Sequence, residues 1–272
     1  MAAPAEQPVV RFENVSVYFD DLRVLDDVSF EIAEGQTCVI LGSAGSGKSV
    51  LLKTALGLIK PGAGRISLFG QDVTHLSESR WYDVRARIGV LFQEGALFDS
   101  LTIEENVSYP LLNQRGRLQK PDPGVREKVV DSLRFVELEH TLDKFPSELS
   151  GGMRRRVGIA RANVTAPPLC LYDSPTAGLD PITANTIISL IVKARDVYNT
   201  TSAIVTHRFQ DGHLLANFRY NPDSGNLVRA TEEVQSRAKF LVLKEGRLVF
   251  SGSEQELESS ADPYISKFVL KL

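Results

Sequence analysis

The chain predicts an α/β fold, a mostly parallel sheet covered by helices on both faces, with a helical lobe inserted into it. Three observations predict this. Short apolar runs at Thr37–Leu41, Ile88–Phe92, Leu169–Tyr172 and Ser202–Val205 alternate with helical patterns, as βαβ units require. From about Glu94 to Pro168 the β-like runs disappear and helical patterns dominate. The run Gly42-Ser43-Ala44-Gly45-Ser46-Gly47-Lys48-Ser49 fits the phosphate-binding pattern G-x-x-x-x-G-K-[ST], between a buried strand and a helix.

Taken in order, the first eight residues read as a loose tail. Val9–Tyr18 and Val28–Ile32 are strand-like, the second ending at the Glu34-Gly35 turn. The phosphate-loop strand and its helix Val50–Leu56 follow. Pro61-Gly62-Ala63-Gly64 breaks the chain, and Arg65–Phe69 resumes it as a strand. Ser77–Arg87 reads as a helix with Ser77 at its cap, and Ile88–Phe92 as a buried strand. Within the helical stretch, Thr102 and Glu105 have capping-box spacing. Gln114–Gly124 is a polar linker with two prolines, and Val125–Glu137 puts Val129, Leu133 and Val136 on one helical face. Leu169–Tyr172 returns to a core strand, and Pro181–Asn199 is a long helix with proline in its first turn. Lys239–Leu243 and Arg247–Phe250 form a closing hairpin around Glu245-Gly246.

Composition narrows the function classes. With 272 residues and 43% hydrophobic content, the chain can bury a large core. A formal charge of −3 gives no reason to expect a nucleic-acid binder. Cys38 and Cys170 lie inside apolar runs and read as small buried hydrophobes rather than a disulfide or a metal site. No signal peptide is visible in Met1–Pro8, and no run reaches the ~20 apolar residues of a membrane helix. The expectation is a cytosolic protein whose membrane role, if any, comes through a partner.

The phosphate loop carries the clearest chemistry. Its glycines let the backbone curl so that several N–H groups converge on one anion, and the following helix aims its positive end at the same place. Lys48 adds a mobile charge for the outer phosphates, and the Ser49 hydroxyl suits Mg²⁺. Ser150-Gly151-Gly152 opens a helix running through Arg154–Ala162, which makes a second anion cradle; a plain helix cap would use the same residues. Leu169–Tyr172 ends in Asp173, an acid placed for a Mg²⁺-associated carboxylate. Gln93 ends one core strand and His207 another.

In this order the motifs resemble the nucleotide-binding subunits of ABC transporters along nearly the full chain. The resemblance implies a P-loop NTPase core, a RecA-like mixed sheet flanked by helices, with an antiparallel β edge and an inserted helical subdomain. It implies an ATPase domain over 9–252, with core 9–93 and 168–252, helical subdomain 94–167, and tails 1–8 and 253–272. Gly42, Ser43, Gly45, Ser46, Gly47, Lys48, Ser49 and Val50 would then hold ATP, with Phe19 stacking on adenine beside Tyr18. Ser49, Gln93 and Asp173 would serve Mg²⁺. Gln93 would also sense the transmembrane partner, and His207 would touch the γ-phosphate. Ser150, Gly151 and Gly152 would cap that phosphate from the opposite protomer, and Asp180 would lie in a dimer-contact loop. Two copies would stack head to tail around two ATP molecules, and hydrolysis would let them part.

One position departs from the family. Glutamate normally follows the strand-end aspartate and polarises the attacking water, but here the residue is Ser174. Losing a general base costs ~10² to 10⁴-fold in rate, so binding should survive while turnover slows. An introduced trap substitution, a natural slow variant and rescue by Glu94 are the three explanations, with Glu94 otherwise a solvated loop charge. Within the family, Phe92–Thr102, Glu105–Leu111, Leu149–Ala162 and Asp262–Phe268 look like the ATPases of Mla/Mce-type lipid transport systems. That implies a permease partner, accessory subunits, a peripheral place on the cytoplasmic face of the inner membrane, and lipid cargo. A soluble ABC-type ATPase without a transport role and a slowly hydrolysing ATP sensor are the alternatives. Leu97, Phe98 and Leu101 could line a groove for a permease helix or seal core to lobe. Arg154–Arg156 read as a solvated helix face or a partner contact. Tyr264–Leu272 forms a small helix, docked on another subunit or on its own core, and Phe209–Arg237 receives no role.

Overall fold

A computed structural model of the chain describes residues 7–93, 95–114, 117–118 and 123–269. In chain order the strands are β1 (Val10–Phe19), β2 (Leu22–Ile32), β3 (Thr37–Leu41), β4 (Ala63–Leu68), β5 (Gln71–Asp72), β6 (Ile88–Leu91), β7 (Asn113–Gln114), β8 (Arg117–Leu118), β9 (Leu169–Asp173), β10 (Thr201–Thr206), β11 (Phe218–Asn221), β12 (Asn226–Arg229), β13 (Ala238–Lys244) and β14 (Arg247–Gly252). The helices are α1 (Lys48–Ala55), α2 (Glu78–Arg85), α3 (Ile103–Leu112), α4 (Pro123–Phe135), α5 (Gly151–Asn163), α6 (Pro181–Tyr198), α7 (Phe209–Asn217), α8 (Glu232–Gln235), α9 (Glu254–Glu258) and α10 (Pro263–Val269). The described residues form two compact units, one drawn from 7–81, 201–218 and 229–269, the other from those between 82 and 200 together with 219–228.

In the first unit β3 is buried along its whole length, which explains its uninterrupted apolar sequence. It pairs in parallel with β10 on one side and β13 on the other, with Leu41 opposite both Thr206 and Val242. That register brings the carboxyl ends of three strands level. β13 then turns through Glu245-Gly246 into antiparallel β14, as the closing hairpin predicts. A second sheet is antiparallel, with β1 between β2 and β4. Its buried face holds Val10 and Phe12 and, after a register shift that flips the alternation, Val15 and Val17, with Phe12 stacked on Phe30 at 4.8 Å. β2 begins six residues before the strand expected at Val28–Ile32, because Arg23, Asp26 and Asp27 break its apolar pattern. Asp26 is an ion-pair hub for Arg23 at 2.6 Å and for Arg247.

In the second unit β6 and β9 pair in parallel, with Leu91 opposite Tyr172. Val129, Leu133 and Val136 are fully buried, the face that the helical spacing predicts. The capping box at α3 forms as read, with Glu105 N–H donating to Thr102 Oγ1 at 3.2 Å and Thr102 N–H donating to Glu105 Oε2 at 2.7 Å. The predicted linker Gln114–Gly124 lies partly outside the described residues; within it Gln114 pairs with Arg117, and α4 starts at Pro123. Tyr220, on the elaboration after α7, packs against α6. Its N–H donates to Asp196 Oδ2 at 2.7 Å, and Lys193 Nζ lies 4.2 Å from the Phe135 ring centre and 5.4 Å from that of Tyr220.

Both cysteines are unbridged and buried, and burial pushes each thiol up to about 12. Among the described residues no helix is long and apolar enough to cross a membrane.

Candidate functional site

The phosphate loop leaves the buried end of β3 in the first unit. Gly42 has to be glycine for packing: a Cβ there would sit 2.5 Å from Ser46 Oγ and 2.6 Å from the Leu243 carbonyl oxygen. Gly47, the residue before α1, has φ +101°, and its Cβ would meet Leu25 at 2.8 Å. These two glycines let the loop curl tightly over β13 and β2. Gly246 at the β13–β14 turn donates its N–H to Ser46 O at 3.1 Å and ties the loop to that hairpin. Lys48 is buried; its Nζ donates to Gly42 O at 2.8 Å, Ser43 O at 2.7 Å and Ser46 Oγ at 3.4 Å. The ammonium thus lies against the loop it follows. Ser49 and Val50 stand in the first turn of α1, where the helix dipole favours an anion.

His207 follows directly on Thr206, which the β10–β3 register places opposite Leu41 beside the loop's start. The turn after it is fixed by Thr206 Oγ1, which donates to buried Asp211 at 2.7 Å and accepts from Arg208 N–H at 3.0 Å. His207 itself is exposed. Phe19, at the tip of β1, presents a ring 45% exposed. Its neighbour Tyr18 is engaged, with Arg23 lying 5.4 Å over its ring and Gly62 packed against its edge.

The remaining predicted residues gather in the second unit. Gln93 follows β6 and is exposed, and the β6–β9 register sets it at the same sheet end as Asp173. Asp173 is buried, and Ser174 Oγ donates to its Oδ1 at 3.1 Å. The Ser174 backbone lies in the left-handed region at φ +50°, a conformation uncommon for residues other than glycine. Glu94 lies outside the described residues.

Ser150 caps α5 by accepting Met153 N–H at 3.3 Å. The two glycines after it differ. A Cβ on Gly152 would meet Thr183 Cγ2 at 2.7 Å, so packing within the chain requires that glycine. A Cβ on Gly151 would meet nothing within 4 Å. Asp180 caps α6, its Oδ1 accepting Ile182 and Thr183 N–H groups at 3.0 Å each. The Thr183 hydroxyl and backbone bonds hold its carboxyl below the usual range.

The arginine run needs correction. Arg154–Arg156 do not form a solvated face: each donates to a backbone carbonyl. Arg154 reaches Leu149 O at 2.7 Å, and Arg156 reaches Val136 O at 3.1 Å. Arg155 is buried and grips the segment after Asp173, with Nη1 on Pro175 O and Nη2 on Ala177 O at 2.9 Å. Successive helical residues turn by ~100°, so three in a row span more than half the circumference and one has to face inward. Two further residues were missed. Arg161 holds the turn after Gln93 by donating to Gly95 O at 2.7 Å and Ala96 O at 2.9 Å. Asn106, fully buried, accepts Phe98 N–H at 2.8 Å and donates to the carbonyls of Phe98, Leu101 and Thr102. Phe98 packs at a tilt against Tyr109 of α3, ring centres 4.6 Å apart, and both remain part exposed, so the loop and helix together present an aromatic surface.

Known proteins share both the sequence and the fold of this chain. A family model described as ABC transporter matches residues 25–177. A mycobacterial relative, "Probable ribonucleotide transport ATP-binding protein mkl" of Mycobacterium tuberculosis, is 34% identical over 92% of this chain. The chain spans 63% of that relative's length. "Intermembrane phospholipid transport system ATP-binding protein MlaF" of Haemophilus influenzae is 36% identical over 79% of this chain and 80% of its own length. A solved ATP-binding cassette, described as a dimeric post-hydrolysis state bound to ADP and Pi, superposes with TM-score 0.72 and 28% identity. That superposition covers 90% of this chain and 98% of the other.

Proposed function

This chain belongs to the ABC transporter family, and on that premise we propose that it is an ATP-driven motor subunit. It couples closure of a head-to-tail dimer, and ATP hydrolysis, to movement of a phospholipid or related lipid through a transmembrane permease. The observation that carries this reading is the phosphate loop. Gly42 and Gly47 permit a curl no other residue would fit, and Lys48 lies along it ahead of the α1 dipole.

On this reading residues 42–50 bind the phosphates of ATP, and the exposed ring of Phe19 stacks on adenine. The donors for Mg²⁺ are Ser49, Gln93 and Asp173, a hydroxyl, an amide and a carboxylate, which suits an ion that prefers oxygen. Bound there, Mg²⁺ would neutralise phosphate charge. Gln93 and His207 respond to the γ-phosphate, and Ser150–Gly152 cap the nucleotide held by a second copy. Gly151 supports that last role: among the described residues nothing needs a glycine there, so the bare backbone is available to a molecule from outside. Lipid cargo and a place on the cytoplasmic face of the inner membrane, held by the permease, rest on resemblance to the Mla-type ATPases. The mycobacterial relative carries a different substrate in its name.

Ser174 favours a second reading, a subunit that closes on ATP but hydrolyses slowly. Its hydroxyl donates a hydrogen bond to Asp173, and a hydroxyl is no base near neutral pH. Light scattering on the purified chain tests the dimer. MgATP should convert monomer to dimer, Lys48→Ala should not respond, and a wild-type chain that stays monomeric alone and with its permease refutes the reading. A polytopic membrane protein carrying phospholipid should copurify with the tagged chain; its absence would favour an ATPase with no transport role.

A further inference from the structure

The hydroxyl of Tyr264, on the C-terminal helix α10, reaches the phosphate loop from 221 residues away in sequence. Its oxygen lies 3.1 Å from Ser43 N, 3.1 Å from Ser43 Oγ and 3.1 Å from Leu243 O. A phenol has one proton to give and lone pairs for two donors. The Leu243 carbonyl can only accept, so it takes the proton, and the two Ser43 groups donate. Every hydrogen-bonding capacity of the hydroxyl is then used. The ring is held separately, with Lys244 Nζ 5.1 Å over its face and Phe268 edge-on at 5.3 Å. Ile265 on the same helix is 2% exposed, so α10 also packs through an apolar side chain.

The peptide group that Tyr264 holds has a second task. Ser43 N–H and the Gly42 carbonyl belong to one planar amide. That carbonyl accepts from Lys48 Nζ at 2.8 Å, so the plane is fixed by the phenol on one side and the loop lysine on the other. The next carbonyl, of Ser43, also takes Lys48 at 2.7 Å, and accepts Ser46 N–H at 3.2 Å. Tilting the first plane would move both anchors of the lysine.

We infer that Tyr264 is a positioning residue for nucleotide: it holds the first peptide of the phosphate loop, and through it Lys48, in the arrangement that receives phosphate. The Tyr264 hydroxyl, rather than α10 as a whole, therefore sets nucleotide affinity. The inference rests on the loop being the ATP site. Its energetic logic is pre-organisation, since a loop ordered before binding loses less freedom on binding.

The test is Tyr264→Phe in the full chain, which deletes one oxygen and keeps the ring packing. Titration with a fluorescent ATP analogue and Mg²⁺ should show Kd raised roughly three- to tenfold, the scale of one or two lost hydrogen bonds. The nucleotide-free melting midpoint should move little. Ser43→Ala, which keeps the N–H donor, should weaken binding less, and adding it to Tyr264→Phe should cost less than the sum. Ser266→Ala loosens α10 at its Ser260 and Asp262 carbonyl contacts without touching the loop, and should leave Kd unchanged. An unchanged Kd in Tyr264→Phe, or equal weakening in Ser266→Ala, overturns the inference. If Tyr264→Phe does not fold, Ser43→Ala with wild-type Kd overturns it instead. A wild-type chain that binds no nucleotide refutes the ATP reading itself, a result separable from the others.

Discussion

Replacing Arg155 by methionine should destabilise the protein by about 2–4 kcal/mol. The guanidinium, 7% exposed, is a donor to the carbonyls of Pro175 and Ala177, with Ser174 O a longer contact at 3.5 Å. Methionine keeps much of the apolar stem and supplies no donor. One buried and one half-buried carbonyl stripped of a partner cost about 1–3 kcal/mol each, the half-buried one at the low end. Relief of the charge's own desolvation offsets part of that sum. For a chain of this size each kcal/mol moves the melting midpoint by about 2–4 °C, so a fall of roughly 5–15 °C is expected. Arg156→Met is the comparison. Arg156 is less buried and serves one carbonyl, Val136 O, so its loss should cost below about 1 kcal/mol. Thermal and urea denaturation of both variants, followed by circular dichroism, decide the matter. Equal small losses at the two positions would refute the assignment of Arg155 as the tie between α5 and the Ser174–Ala177 segment.

Ser174→Glu should raise steady-state phosphate release by about 10²-fold or more, the low end of general-base contributions, and equal brisk rates in both chains would refute the assigned handicap. Gly151→Ala should leave the isolated chain as stable as before, or up to about 1 kcal/mol more stable, because alanine favours the helix. The same variant should weaken ATP-driven dimerisation tenfold or more by light scattering, whereas unimpaired dimers would show that Gly151 faces no partner. Acid should destabilise the fold. Asp26, Asp72, Asp180 and Glu256 are all held below their ordinary values, led by side-chain bonds from Arg247, Thr74 and Thr183 and the backbone bond from Ser253. A carboxylate with a lowered folded pKa contributes stability above its unfolded value near ~4 and loses it as pH falls further. Urea midpoints at pH 7, 5 and 3.5 should therefore decline in that order, most steeply in the last step.

Much of the fold was legible because its central strands are buried on both faces. β3, β9 and β10 read as unbroken apolar runs, and α4 announced its face through Val129, Leu133 and Val136. The front half of β2 was not legible, because Arg23 and Asp26 meet partners that only folding supplies. The β11–β12 ladder was hidden because neither strand has a clean alternation of buried and exposed residues. At the candidate site the loop glycines, Lys48, Asp173 and the caps at Ser150 and Asp180 are local patterns that spacing reveals. Arg155, Arg161, Asn106 and Tyr264 act by donating to or accepting from backbone far along the chain. A side chain bonded to a distant carbonyl or amide leaves no periodic trace, so residue type alone suggested a surface for the arginines.

The buried thiols have a practical consequence for watching two copies come together. Cys38 and Cys170 stay protonated and out of reach of maleimides and methanethiosulfonates while the chain is folded. A cysteine introduced at Ile182, 80% exposed on the first turn of α6, would then be the single position to take a spin label. Pulsed-resonance distances between labelled copies would be read against a silent background, with no native residue needing removal first.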